Sequence, residues 1–369
     1  MRCVRSARVG FAATLIAALM VGCGAPAEDD RWTATLPETL PARLSETGLL
    51  DRGDAALAPR GGIAYVLAHP LFSDYAHKYR TVHVPAGAMA TGADPSRTLT
   101  FPVGTHITKT FYYPTAAEGV QLTAAPAFAG PTEALDTRGM RLIETRVLRH
   151  TADGWEAVSY LWDEDGRDAR KARAGALLEL VAADGESFDY LVPDANQCAG
   201  CHATDHGSGA LAPIGPKPGN LAAVHVGGAS QYDDWSARAL VATSASGAEP
   251  WPMQGPNAAR AYLDANCAHC HSDTGAADTA GLDLRFDAAD VDRGLCKSPV
   301  AAGRGSGGRD YDIWPGRSDA SILLFRLGHT DPGIMMPELG RSLAHTEGVA
   351  QIRDWIDGLE GDCDAGSLL

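Results

Sequence analysis

Two pentapeptides constrain this 369-residue chain more than any other feature: Cys198-Ala199-Gly200-Cys201-His202 and Cys267-Ala268-His269-Cys270-His271. In each, two thiols three positions apart on one tight helical turn can form thioethers with the two vinyl groups of one porphyrin. The residue that follows then brings its imidazole onto the iron. A chain with two such turns has to fold around two flat, covalently held macrocycles. The expectation is two haem c groups. Cys198, Cys201, Cys267 and Cys270 attach them, and His202 and His271 ligate the two irons.

The competing use of two Cys-x-x-Cys pairs is one tetrahedral zinc site. The pairs at positions 198 and 267 lie far beyond the about 15–20-residue spacer of that pattern. Each pair also carries a His at the one position that haem requires, and the chain reads as exported. These features favour haem.

Export is read from the first 30 residues. Arg2, Arg5 and Arg8 form a basic start, and residues 9–21 are an almost unbroken apolar run. Together they read as a secretory signal, too short for a comfortable transmembrane span. Met20-Val21-Gly22-Cys23 resembles a lipobox, which would leave Cys23 as a lipidated first residue after a signal peptide of residues 1–22. Cleavage after Ala25-Pro26-Ala27 is the alternative. Two or more acyl chains on Cys23 would hold the protein on a membrane surface without a spanning helix. The expected location is therefore periplasmic, with a lipid anchor.

Of eight cysteines, Cys3 leaves with the signal, Cys23 is lipidated or lost, and four are taken by haem. Cys296 and Cys363 remain, and two leftover thiols in an oxidising compartment are expected to pair. The formal net charge is -15. Such an acidic chain is not built for nucleic acid or for direct binding to anionic lipid.

The chain changes character along its length. Residues 23–40 read as a flexible tether, and residues 41–192 as β-rich. Ile107 to Tyr113 is dense in β-branched and aromatic residues, which suit a pleated surface. Asp153-Gly154 marks a tight hairpin turn between Leu142–Leu148 and Trp155–Trp162. Asp184-Gly185 marks another, between Leu177–Ala182 and Phe188–Val192. Residues 193–255 are loop-like and carry the first motif. In residues 256–369, helices are expected over Asn257–Asn266, from Ser318 or Asp319 to Leu327, and from Thr346 to Leu359. The predicted class is α+β: an N-terminal β-rich, sandwich-like domain followed by a mainly α-helical haem region of cytochrome c type.

Opposite His271, Met336 of Ile334-Met335-Met336-Pro337 is the expected second axial ligand, with Met335 as the alternative. Thioether ligation favours reduced iron. The first haem has no clear partner: Met253, His206 and His225 are candidates, and a five-coordinate iron stays open. Pro213 or Pro216 is expected to offer a carbonyl to the ring N–H of His202, a bond that fixes the tautomer. Arg304 or Arg309, on the Gly303–Gly308 loop, is expected to reach haem propionates.

The chain resembles an uncharacterised family of exported bacterial dihaem c-type cytochromes. The resemblance rests on residues 70–75, 192–198, 213–217, 266–271, 299–311 and 335–341. The C-terminal part also resembles the wider cytochrome c superfamily. The resemblance implies two covalent haems and electron transfer to or from a periplasmic or membrane partner protein. It also implies a parallel β-helix protein as that partner. Two other readings stay open at this point. One is a peroxidase-like haem enzyme with one five-coordinate iron. The other is a binding module in which the β-rich domain recognises a partner and the haems are its redox attachment.

Overall fold

The computed structural model describes residues 39–123, 133–242 and 247–364. The basic start, the apolar run, Cys23 and nearly all of the tether lie outside them. The described residues all belong to one compact unit.

Eleven strands occupy the N-terminal half: β1 (Leu50–Arg52), β2 (Ala56–Pro59), β3 (Ile63–Tyr65), β4 (His77–His83), β5 (His106–Pro114), β6 (Leu135–Asp136), β7 (Met140–Thr151), β8 (Gly154–Trp162), β9 (Ala169–Lys171), β10 (Ala176–Val181) and β11 (Ser187–Val192). β3-β4-β5-β7-β8-β9 form one antiparallel sheet, β1-β2-β6 a smaller one, and β10-β11 a hairpin. The β7–β8 hairpin turns at Ala152–Asp153, pairing Thr151 with Gly154, whose φ of 118° suits a residue without Cβ.

Alternation gives the large sheet two different faces. One face presents Tyr79, Tyr112, Val147 and Tyr160, which pack with Leu50, Leu57 and Leu135 of the small sheet. Thr81–Thr108 and Thr110–Thr145 hydroxyl pairs satisfy the polar groups buried there, at 2.6 and 2.7 Å. The other face carries Arg80, Val82, Ile107, Lys109, Phe111 and Arg146. Phe111 packs there against the β10–β11 hairpin through Tyr190, Val82 and Ile107 share a core with Leu221, Tyr232 and Trp235, and Arg80, Lys109 and Arg146 line a hollow with the first Cys-x-x-Cys-His turn.

The C-terminal half corrects the predicted fold class. It is not a mainly α-helical cytochrome c region. The helices are short: α1 (Ala195–His202), α2 (Pro218–Ala222), α3 (Gln231–Ala237), α4 (Pro256–Asn266), α5 (Ile322–Gly328) and α6 (Thr346–Asp357). A two-residue ladder, His225–Val226 with Ala229–Ser230, lies between α2 and α3. From Cys267 to Ser321 the backbone runs through turns and four 3-10 segments. Gly275, Gly281, Gly294, Pro299, Gly303, Gly307 and Pro315 punctuate this stretch too often for a helix to propagate. The predicted cap at Ser318 or Asp319 starts such a 3-10 turn, and α5 begins only at Ile322. α4 and α6 do form, and Tyr262, Leu263, Ile352, Trp355 and Ile356 share one core with Ile313 and Leu324.

Candidate functional site

The first Cys-x-x-Cys-His turn is the last part of α1. Asp194 and Gln197 start that helix with a reciprocal capping box: Gln197 N donates to Asp194 Oδ1 at 2.8 Å, and Asp194 N to Gln197 Oε1 at 3.0 Å. Cys198 is buried, and Cys201 and His202 are half-buried. His202 Nδ1 lies 2.8 Å from the carbonyl oxygen of Ala212. A carbonyl only accepts, so the proton sits on Nδ1 and the Nε2 lone pair is left free for a metal. The acceptor is therefore Ala212, one residue before Pro213. The Pro216 carbonyl is engaged elsewhere, accepting from Leu99 N at 3.1 Å. Burial pushes the His202 pKa down to about 4, so the imidazole is neutral, the form that ligates metals.

Cys198, Cys201 and His202 line a hollow of about 150 Å³ between α1 and the large sheet. The hollow shares Ile214, Lys217, Asp264, Ala265 and His269 with an adjoining one of about 390 Å³. The larger of the two alone lies within the roughly 300–1,000 Å³ range of ligand sites. Arg80, Lys109 and Arg146 of the sheet also line the smaller hollow. None of Met253, His206 and His225 lines either hollow. Met253 packs instead with Val66 and Val224, while His206 and His225 are exposed.

The second turn follows α4 without a break. His271 N donates to Cys267 O at 2.9 Å, which keeps Cys267, Cys270 and His271 on one turn. The three residues line a cavity of about 640 Å³ whose wall includes Leu282, Leu284, Ile313, Ile322 and Leu323. Such an apolar wall suits a porphyrin face. Burial and nearby Arg326 push the His271 pKa down to about 4. Burial pushes the Cys267 thiol up to about 12 and the Cys270 thiol up to about 11.

Met336 lines this cavity with His271, whereas Met335 is 6% exposed and outside its lining. The Met336 loop is held from both sides. Met336 N donates to Arg326 O at 3.1 Å, and Arg341 donates from one Nη to the carbonyls of Met336 (2.9 Å) and Arg326 (3.2 Å). The Met336–Pro337 bond is cis, as is Gly215–Pro216.

Arg304 and Arg309 do not face the second cavity. Arg304 is paired with Asp331 at 3.3 Å, and Arg309 donates to Asp319 O at 2.8 Å while lying over the Phe325 ring. The arginines that line the cavity are Arg293 and Arg326. Sequence reasoning missed both, as it missed Ala212, Arg341 and the sheet cations Arg80, Lys109 and Arg146. A signal existed for the last three: each of three neighbouring strands carries at least one Lys or Arg among its apolar residues. It did not show that they share a face.

Cys296 and Cys363 are joined by a disulfide, with Cα atoms 5.1 Å apart. Among the described residues, no group of three or more His, Cys, Asp or Glu side chains is placed to hold one metal ion. No described helix is long and apolar enough to cross a membrane. The two attachment turns touch: the Cys270 thiol donates to Gly200 O at 3.6 Å, and His206 N to Thr274 O at 2.7 Å. Comparison with protein-family models, with curated proteins and with solved structures finds no match to this chain.

Proposed function

We propose that the chain is an exported dihaem c-type electron-transfer protein. Cys198 and Cys201 would hold one haem, with His202 on its iron. Cys267 and Cys270 would hold the other, with His271 and Met336 on its iron. The observation that carries the reading is the pairing of two Cys-x-x-Cys-His turns in direct contact, each lining a cavity, with Cys201 and His269 in the wall common to both. The iron would cycle between Fe(II) and Fe(III), and the chain would supply ligands, burial and hydrogen bonds that set the potentials. Contact between the attachment turns favours passage of an electron from one centre to the other. Lipidation at Cys23 would keep the protein at a periplasmic membrane surface, within reach of a redox partner. The family resemblance suggests a parallel β-helix protein for that role.

The test is expression with c-type haem maturation in a bacterial periplasm. Intact mass should show two added haems, and alkylation should find Cys198, Cys201, Cys267 and Cys270 blocked. A mature, folded chain with four free thiols and no visible absorption would refute the proposal. Mass of the N-terminal peptide separates an acylated Cys23 from cleavage after Ala27.

One observation favours a second reading. Met253, His206 and His225 lie away from the first cavity, whose histidines besides His202 are His69, His269 and His345; with none of these on the metal, the first iron would keep an open coordination position. That iron would be high-spin and would take carbon monoxide or peroxide quickly. An all-low-spin spectrum with no ligand binding rules this reading out.

A further inference from the structure

The face of the large sheet that looks toward the first attachment turn carries cations the rest of the chain does not balance. Arg80 on β4 is paired with Lys109 on β5, and Lys109 with Arg146 on β7, in one register across three strands. Like charges opposite one another on neighbouring strands repel. Only Arg146 has a carboxylate, Glu144, at 2.6 and 3.0 Å. Arg80 is 6% exposed, makes no ion pair among the described residues, and reaches only the Lys78 carbonyl, at 3.4 Å. Lys109 makes no hydrogen bond or ion pair there, and its Nζ lies 5.1 Å from the Phe111 ring centre. Lys78 stands two residues before Arg80 on the same face, and the carboxylate acting on it is buried Asp74. Arg80 is thus a buried guanidinium with no carboxylate partner among the described residues, and Lys109 stands opposite it with none. A fold does not keep such charges buried without a counter-ion.

We infer that this row is the seat of the two propionate carboxylates of the haem attached at Cys198 and Cys201. The inference rests on the dihaem reading. Three facts converge on it. Arg80, Lys109 and Arg146 line the same hollow as Cys198, Cys201 and His202. Arg80, buried and without a carboxylate of its own, calls for an anion from outside the chain. A guanidinium fork also suits a carboxylate geometrically. The β-rich half then has a defined job: it forms one wall of the first haem site and tunes its iron. Cations beside a haem favour the reduced metal, which carries one positive charge fewer.

The test compares the holoprotein with its Arg80→Gln and Arg80→Lys variants. Each haem is followed by potentiometric titration, and the propionate bending band by resonance Raman. Arg80→Gln is expected to keep both haems and to shift the propionate band of the first. It should also raise the ratio of oxidised to reduced first haem tenfold at fixed potential, a midpoint fall of about 59 mV for one electron. The second haem should not move, and Arg80→Lys should restore most of the change. Should Arg80→Gln fail to fold, Lys109→Gln at the more open position carries the same measurement. Unmoved band and midpoint in a fully loaded Arg80→Gln or Lys109→Gln variant overturn this inference and leave the dihaem reading standing. Phosphate or nitrite that shifts the first haem's spectrum in the parent but not in Arg80→Gln also overturns it, because the row then holds a free oxyanion. A parent chain with no haem at Cys198 and Cys201 overturns both.

Discussion

The thiol of Cys270 points at the backbone carbonyl of Gly200, 3.6 Å away, so the two attachment turns meet although 69 positions separate their first cysteines. Thr274 Oγ1 donating to Thr204 O at 3.1 Å extends the contact beyond the turns. Haems held by turns in contact are close enough for their irons to sense each other's spin. The oxidised dihaem protein should therefore show electron paramagnetic resonance lines broader than those of a Cys267→Ala/Cys270→Ala variant carrying the first haem alone. A dihaem spectrum that is the plain sum of two isolated haems would mean the contact does not bring the irons together.

Met336 and Met335 should separate cleanly in experiment, because they differ in position rather than in chemistry. Met336 lines the cavity of His271, and its loop is pinned by Arg326 and Arg341. Met336→Ala should remove the charge-transfer absorption of a Met–iron bond in the oxidised protein and lower the midpoint of the second haem. Met335 is packed in the interior instead. Met335→Ala should keep the absorption and cost about 2–5 kcal/mol in denaturant unfolding. The opposite assignment of the two effects would place the thioether ligand at 335.

Those two methionines show what the chain made legible and what it did not. Local signals were strong enough to place β7–β8, β10–β11, α4 and α6, since hairpin turns and a 3.6-residue apolar face are written within a dozen residues. The Met-Pro dipeptide likewise pointed to one loop. Helical signals are confined to the short stretches of α4, α5 and α6, so no mainly helical haem region forms. Between them, glycines and prolines from Gly275 to Pro315 favour turns. Arg304 and Arg309 sit on the expected glycine loop but bond Asp331 and the Asp319 carbonyl, whereas Arg293 and Arg326 reach the cavity through folding that no local pattern encodes. Arg80, Lys109 and Arg146 align only once strand register is known. That register depends on pairing between segments far apart in sequence.

The Cys296–Cys363 bridge closes a loop with a sequence separation of 67 that contains α5, the Met336 loop and α6. Removing it frees the end of the chain after α6, and the unfolded state gains the entropy that the cross-link withheld. Cys296→Ser/Cys363→Ser should lose about 2–4 kcal/mol of stability in denaturant titration. The second haem should suffer more than the first, because its Met336 loop lies inside the closed segment. A double variant with unchanged stability and an unchanged Met–iron absorption would show that haem attachment alone holds this segment in place.

Asp74 ties the loop before β4 to the segment after Met336: its Oδ1 accepts from Ser342 N at 2.8 Å and from Leu343 N at 2.7 Å. The side chain is buried, 2% exposed. Desolvation outweighs these two bonds and the charges of Arg341 and Lys78, and pushes the carboxyl pKa from 3.8 up to about 6. The folded state then holds the proton more tightly than the unfolded state. Stability from this group is complete below the unfolded value near 3.8 and is lost as pH rises through about 6. The shift corresponds to about 3 kcal/mol. Asp74→Asn keeps an Oδ1 that can accept both backbone bonds and removes the titration. The stability difference between Asp74→Asn and the parent should therefore grow in the variant's favour from pH 4 to pH 7, by an amount of that order. Parallel stability–pH curves for the two proteins would show that Asp74 stays ionised in the fold and that its charge is fully compensated by its neighbours.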